Sequence, residues 1–141
     1  MLLTGSTQID AERAFLRETR ARRRAALARR LRRGRSRRLP VYDETKQRVN
    51  GLPARLEIPI DAVAGTVEPS RSALFDRDFR PSSLARSRWE RLWLAEHNGA
   101  VLPPISVVRV RDGYAVRDGH HRVSVAKARG ALTIDAAVEA G

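Results

Sequence analysis

Tyr114-Ala-Val-Arg-Asp-Gly-His-His-Arg-Val-Ser-Val-Ala-Lys-Ala-Arg-Gly130 changes character at its fifth and sixth residues. Tyr114 to Val116 is an aromatic and β-branched run of the kind that fills strands. After Asp118-Gly119 the pattern predicts a helix from about His120 to Arg129, closed by Gly130 just past its end. A strand that turns directly into a helix leaves the first-turn N–H groups of that helix unpaired and aimed outward. Gly119 allows a ligand to approach the backbone there, and His120, His121 and Arg122 add donors, so the turn suits an anion. Asp118 is placed to cap the helix, to hold a metal ion or to meet a ribose hydroxyl. The same residues are also compatible with a plain Asp-Gly turn carrying a surface arginine.

Upstream, Pro103-Pro104 launches a strand over Ile105–Val110, and Arg111-Asp112-Gly113 joins it to Tyr114 as a hairpin. Downstream, Ala131 to Val138 predicts a last short strand. Before the hairpin, Ala85, Trp89, Leu92 and Trp93 form one apolar stripe at i, i+4, i+7 and i+8, which predicts a helix ending near Asn98-Gly99 with both tryptophans in the core. Leu56, Ile58 and Ile60 alternate as a short strand, and Pro59 marks it as an edge. Asp61 to Gly65 reads as a turn of helix, and Glu68 to Ser83 as loop.

The N-terminal part differs in kind. Thirteen of the 26 arginines lie between Arg13 and Arg38, opposed only by Glu18, so this segment carries a formal +12 and the remainder sums to zero. Residues 7 to 33 predict a helix, with Thr7 as N-cap, Asp10 and Glu12 near its positive end, and a narrow face of Ala14, Ala21, Ala25, Ala28 and Leu31 widened by Leu16 and Leu27. Gly34 supplies its stop, and like-charge crowding opposes the helix in the absence of a polyanion. Arg35 to Pro40 reads as linker, Tyr42 to Val49 as a short helix, and Asn50 to Pro53 as a turn. The expected organisation is an arm over 1–38, a linker with a short helix over 39–54 and a domain over 55–141.

Charge this concentrated points to phosphates, because each neutralised phosphate releases condensed counterions. The arm residues expected to contact nucleic acid, DNA in preference to RNA, are Arg20, Arg22, Arg23, Arg24, Arg29, Arg30, Arg32, Arg33, Arg35, Arg37 and Arg38. No aromatic residue follows Phe15 in the arm, so backbone contacts without base stacking are expected. An acidic protein partner is the other occupant of the arm that the charge allows. There is no cysteine, which excludes disulfides, thiolate metal sites and a cysteine nucleophile. No apolar stretch approaches the ~18 residues of a membrane span, and the first five residues are too short for a secretory core, so a cytoplasmic protein without a membrane partner is expected. A metal site built from His97, His120 and His121 is disfavoured because adjacent helical residues point about 100° apart. Ser124 lacks the context of a serine nucleophile.

The Tyr114–Gly130 stretch resembles the central element of the ParB/sulfiredoxin superfamily. LPPISVVRVRDG before it and LEIPIDAVAGTVEPSR further back resemble that domain's preceding elements, over about residues 55 to 139. The DGHHR cluster takes the place of a GERR-like sequence in chromosome-partitioning members and a GCHR-like one in sulfiredoxins. The resemblance implies a small α+β (α/β) fold whose helix N-terminus grips the phosphates of CTP or ATP with Mg²⁺. It places Gly119, His121 and Arg122 at the family's phosphate-binding positions, and Asp118 and His120 in the form found in members related to free serine kinases. It also implies Mg²⁺ at Asp118, Glu68 as a catalytic base and Arg71 as the arginine after a proline-containing turn. His120 stands where sulfiredoxins carry cysteine, which excludes sulfinic acid reduction. The helix-turn-helix and dimerisation domains of partitioning proteins are not expected here, although a homodimer is compatible with the reading. A basic helix before a stand-alone domain resembles small actinobacterial ParB-like proteins, some of them described as ParB-like nucleases. The functions implied are a nucleotide-binding module in partitioning or regulation or, alternatively, a small-molecule kinase, a nucleoside triphosphate hydrolase or a nuclease using the same pocket.

Overall fold

A computed structural model describes residues 4–31, 38–43 and 52–139, with the side chains of the first helix described from Thr7 onward. The fold is α+β. Helix α1 (Thr4–Leu31) precedes strands β1 (Ala54–Pro59) and β2 (Val63–Thr66), then come helix α2 (Arg86–His97), the hairpin β3 (Ile105–Val110) and β4 (Gly113–Asp118), helix α3 (His120–Ala128) and strand β5 (Thr133–Glu139). The five strands form one sheet in the order β1-β5-β3-β4-β2. β3 and β4 pair antiparallel through the Asp112-Gly113 turn, whereas β3 with β5 and β2 with β4 are parallel.

β1 lies at the sheet edge, as Pro59 suggests, because proline has no N–H to donate and is tolerated where that side of the strand has no partner. The segment after it departs from expectation. Only Ile60–Ala62 is a 3-10 turn, and Val63–Thr66 is a strand, not a turn of helix. Its short apolar run carries no helical or strand period of its own, and pairing to β4 decides its state. Gly65 is required there: a Cβ would lie 2.3 Å from the Pro40 carbonyl oxygen, because residues 40–42 run alongside β2. The expected loop from Glu68 to Ser83 contains a 3-10 helix at Pro69–Leu74.

The main core lies between the sheet and the layer formed by α3 and the Pro69–Leu74 segment, with Ile58, Phe75, Phe79, Ile105, Val107, Val116, Val123 and Val138 among its members. A second cluster joins the N-terminal helix to this body. Ala14 and Phe15 of α1 pack on Trp89 of α2 and Val125 of α3, and the Phe15 and Trp89 rings meet edge-on, 5.6 Å apart at 70°. Trp89 is fully buried, as its stripe predicted, and its indole N–H donates to Ser124 Oγ at 2.8 Å.

The buried face of α1 therefore coincides with the predicted one only in part. Thr7, Ala11, Ala14, Phe15 and Thr19 are buried, while Leu16, Leu27 and Leu31 face solvent and Ala21, Ala25 and Ala28 are half-buried. Thr7 sits inside the helix instead of capping it. One large aromatic side chain outweighs several alanines in apolar area, and so rotates the docked face toward Phe15. The Gly34 stop and most of the Arg35–Pro40 linker and Tyr42–Val49 helix lie outside the described residues.

Candidate functional site

Sheet pairing brings the ends of β2 and β4 side by side, and the cleft forms where both strands give way to helical segments. Asp118 closes β4, and Gly119 precedes α3 with φ 110°. That conformation favours glycine. Space requires it too, since a Cβ would lie 2.5 Å from Ile105 Cγ2 and 3.0 Å from Arg122 Nη2. No side chain caps α3. Its first-turn N–H groups therefore face the cleft without the partner that a Ser, Thr or Asp cap would supply.

The cleft has a volume of about 390 Å³. It gathers Glu68 and Arg71 from the segment after β2 with Asp118, Gly119, His120, His121 and Arg122, so the pocket residues picked out of the sequence share one cavity. Leu92, Leu102 and Pro103 provide an apolar wall. Two further arginines line it that sequence reading did not single out, Arg88 of α2 and Arg117 of β4. Neither carried a distinguishing signal, because each is one of 26 arginines in the chain.

The four arginines differ in what they are free to do. Arg117 is held by Glu139 through two hydrogen bonds, at 2.6 and 2.8 Å. Arg122 Nη1 donates to the carbonyl oxygens of Pro103 and Pro104, and Nη2 lies 3.4 Å from Asp118 Oδ2. It fastens the Pro-Pro segment to α3 as well as facing the cleft. Arg71 and Arg88 have no carboxylate within ion-pair distance among the described residues. Four arginines against Glu68 and Asp118 give the lining a formal +2, or +1 when Glu139 behind Arg117 is counted.

Both histidines are buried, and both are held neutral. Burial, then Arg71 and His121, lower His120 to about 4 against the smaller opposing pull of Asp118. Burial, then Arg88 and Arg71, lower His121 to about 4. His120 Nε2 lies 2.6 Å from Thr66 Oγ1, which also accepts the Glu68 backbone N–H at 2.8 Å. Thr66 thus ties α3 to the start of the Glu68–Arg71 segment. Phe75 stacks on His120 at 6.4 Å and meets the His121 ring edge-on at 5.2 Å. His97 is remote from this group and stacks on Trp93, and no cluster of three metal-ligating side chains occurs among the described residues.

The arm arginines divide. Arg20, Arg23, Arg24 and Arg30 are exposed, as are Arg13 and Arg17, whereas Arg22 and Arg29 turn toward the body and Arg29 pairs with Asp78 at 3.4 Å. The backbone of Arg38 pairs with that of Asp76 in an isolated antiparallel β-bridge. Arg32, Arg33, Arg35 and Arg37 lie outside the described residues.

No family model and no curated protein matches the chain. Among solved structures, the crystal structure of sulfiredoxin from Arabidopsis thaliana is similar at 20% identity and a TM-score of 0.46, over 63% of this chain and 88% of that one. A similarity of that size assigns no chemistry to the cleft.

Proposed function

We infer that the protein binds the phosphates of a nucleoside triphosphate, CTP or ATP carried with Mg²⁺, at the N-terminus of α3. The observation that carries this reading is the uncapped helix start opening into a cleft beside two arginines, Arg71 and Arg88, that have no carboxylate partner among the described residues. Oriented N–H groups and unpaired guanidinium groups are what an oxyanion needs, and a helix N-terminus favours its charge. Gly119, His120, His121 and Arg122 form the phosphate-facing turn, and Leu92 and Leu102 offer a surface for the rest of the nucleotide. Mg²⁺ typically arrives on phosphates and needs only one or two protein carboxylates. Asp118, at the mouth of the cleft, would supply one.

The outward arginines of α1 are read as contacts to a nucleic-acid backbone, DNA in preference to RNA, in a binding or regulatory module of the partitioning type. A second reading has one observation in its favour: Glu68 lines the same cleft as Asp118, which would place a base near the phosphates of a small-molecule kinase or hydrolase. Calorimetric titration of CTP and ATP with Mg²⁺ into wild type, Arg71→Ala and Arg88→Ala tests the binding site. Saturable binding to wild type, weakened about tenfold or more in each variant, is expected; no binding of either nucleotide overturns the reading. Turnover that Glu68→Gln abolishes would select the enzyme over the module.

A further inference from the structure

Another polar cavity, of about 310 Å³, lies between α1 and the turn that leads into α2. Its walls carry Arg22, Arg23 and Arg29 from the helix and Asp76, Ser82 and Ser83 from the facing segment. Three of these residues hold side-chain atoms that are buried without a hydrogen-bond partner: Arg29 Nη1, Ser82 Oγ and Asp76 Oδ2. Buried polar groups are nearly always satisfied, so three around one cavity point to a missing polar ligand. Asp76 Oδ2 is charge-compensated by Arg80 Nη1 at 3.5 Å. What remains to be satisfied is Nη1 of Arg29, whose Nη2 pairs with Asp78 Oδ2 at 3.4 Å, and the hydroxyl of Ser82, both able to donate.

The wall is built, not incidental. Asp76 Oδ1 accepts the backbone N–H groups of Asp78 and Arg80, both at 2.9 Å, and the Asp76 backbone pairs with Arg80 and Phe79. Phe79 is held at φ 60° with its ring buried. A bulky residue keeps such a conformation only where its surroundings enforce it. Three arginines against one aspartate leave this lining at a formal +2.

We propose that this cavity seats a phosphate oxyanion, bound by Arg29 and Ser82 with Arg22 and Arg23 at the rim. The inference rests on the reading of α1 as a polyanion contact, and identifies the phosphate as one from the backbone of the bound nucleic acid. It gives the inward arginines of α1 a second role beside their packing: the arm would grip its partner at one defined point as well as along its exposed face.

Ser82→Ala is the discriminating variant. The Ser82 backbone N–H donates to Leu74 and its carbonyl accepts from Ala85, while its hydroxyl has no partner, so the fold keeps its hydrogen bonds without it. Duplex DNA of about 20 base pairs is titrated at several salt concentrations into wild type, Ser82→Ala and Arg29→Gln, with thermal melting of each protein. The expected result is a melting temperature for Ser82→Ala no lower than wild type, with binding weakened about three- to tenfold. Arg29→Gln should weaken binding about tenfold and make the salt slope shallower by about one unit. Wild-type binding with both variants unchanged overturns the site and leaves the polyanion reading standing. If wild type does not bind DNA at all, the polyanion reading falls, and pyrophosphate titration followed by NMR of the arginine side chains decides the site. A saturable Arg29 shift that is absent in Ser82→Ala supports it, and no shift overturns it.

Discussion

Thr66 Oγ1 lies 2.6 Å from His120 Nε2, joining the last residue of β2 to the first residue of α3. The same oxygen receives the Glu68 N–H, so one hydroxyl registers the two segments that form opposite walls of the cleft. Replacing it with the isosteric Thr66→Val leaves a buried ring nitrogen and a backbone N–H without their partner. Such a loss costs about 1–3 kcal/mol. Chemical denaturation should show a fall of that size, and nucleotide affinity should fall with it.

Acid should destabilise the fold through the two histidines. Both have folded-state values near 4 against an ordinary 6.5, so between these limits the unfolded chain binds more protons than the folded one. Stability then rises with pH across this window. The contribution is fully present above about 6.5 and is lost as pH falls toward about 4. Thermal melting across this range should show the decline, and His120→Gln should flatten part of it. A phosphate ligand in the cleft would favour the charged form, so calorimetry in buffers of different ionisation enthalpy should detect proton uptake on binding.

Arg71 and Arg122 should behave differently although both line the cleft. Arg71 has no carboxylate partner among the described residues, and Arg71→Ala should weaken nucleotide binding about tenfold with little change in melting temperature. Arg122 fastens the Pro103 and Pro104 carbonyls to α3. Arg122→Ala should therefore lower stability by about 1–3 kcal/mol as well as affinity. Paired melting and titration separate the two.

Docking of the arm depends on Phe15. Its removal leaves a cavity against Trp89 and Val125, and aromatic-to-alanine changes in such sites cost about 3–5 kcal/mol. Phe15→Ala should lose that much stability, and amide exchange along α1 should rise more than in the sheet.

Six arginines on the described part of α1, Arg13, Arg17, Arg20, Arg23, Arg24 and Arg30, are exposed and, with the proposed contact at Arg29, would carry the salt dependence of the proposed DNA binding. If all six engage phosphates, log K should fall against log salt with a slope of about −5. A slope of −1 or shallower would remove nucleic acid from the arm's function.

Much of this architecture was legible before folding. The Asp112-Gly113 hairpin, the Asp118-Gly119 turn into α3, the tryptophan stripe of α2 and the edge position marked by Pro59 each announce themselves through local pattern. What was not legible depended on contacts between distant segments. β2 is four residues long and gains its state by pairing with β4 fifty residues away. Arg88 and Arg117 enter the cleft because α2 and β4 happen to border it, and nothing in their neighbours distinguishes them from other arginines. The arm's face was only partly placed because a tally of alanines underweights one buried phenylalanine.

By itself the sequence determined the charge segregation, the secondary elements with strong periods and the glycine-centred turn, since each follows from bonding and hydration within a few residues. Only the tertiary structure decided which arginines are paired and which remain open, and that Glu68 and Arg71 face Asp118 across one cleft. It also turned both histidines neutral and formed another polar cavity beside the arm. These are properties of burial and of distance through space, and both are set by how the segments pack.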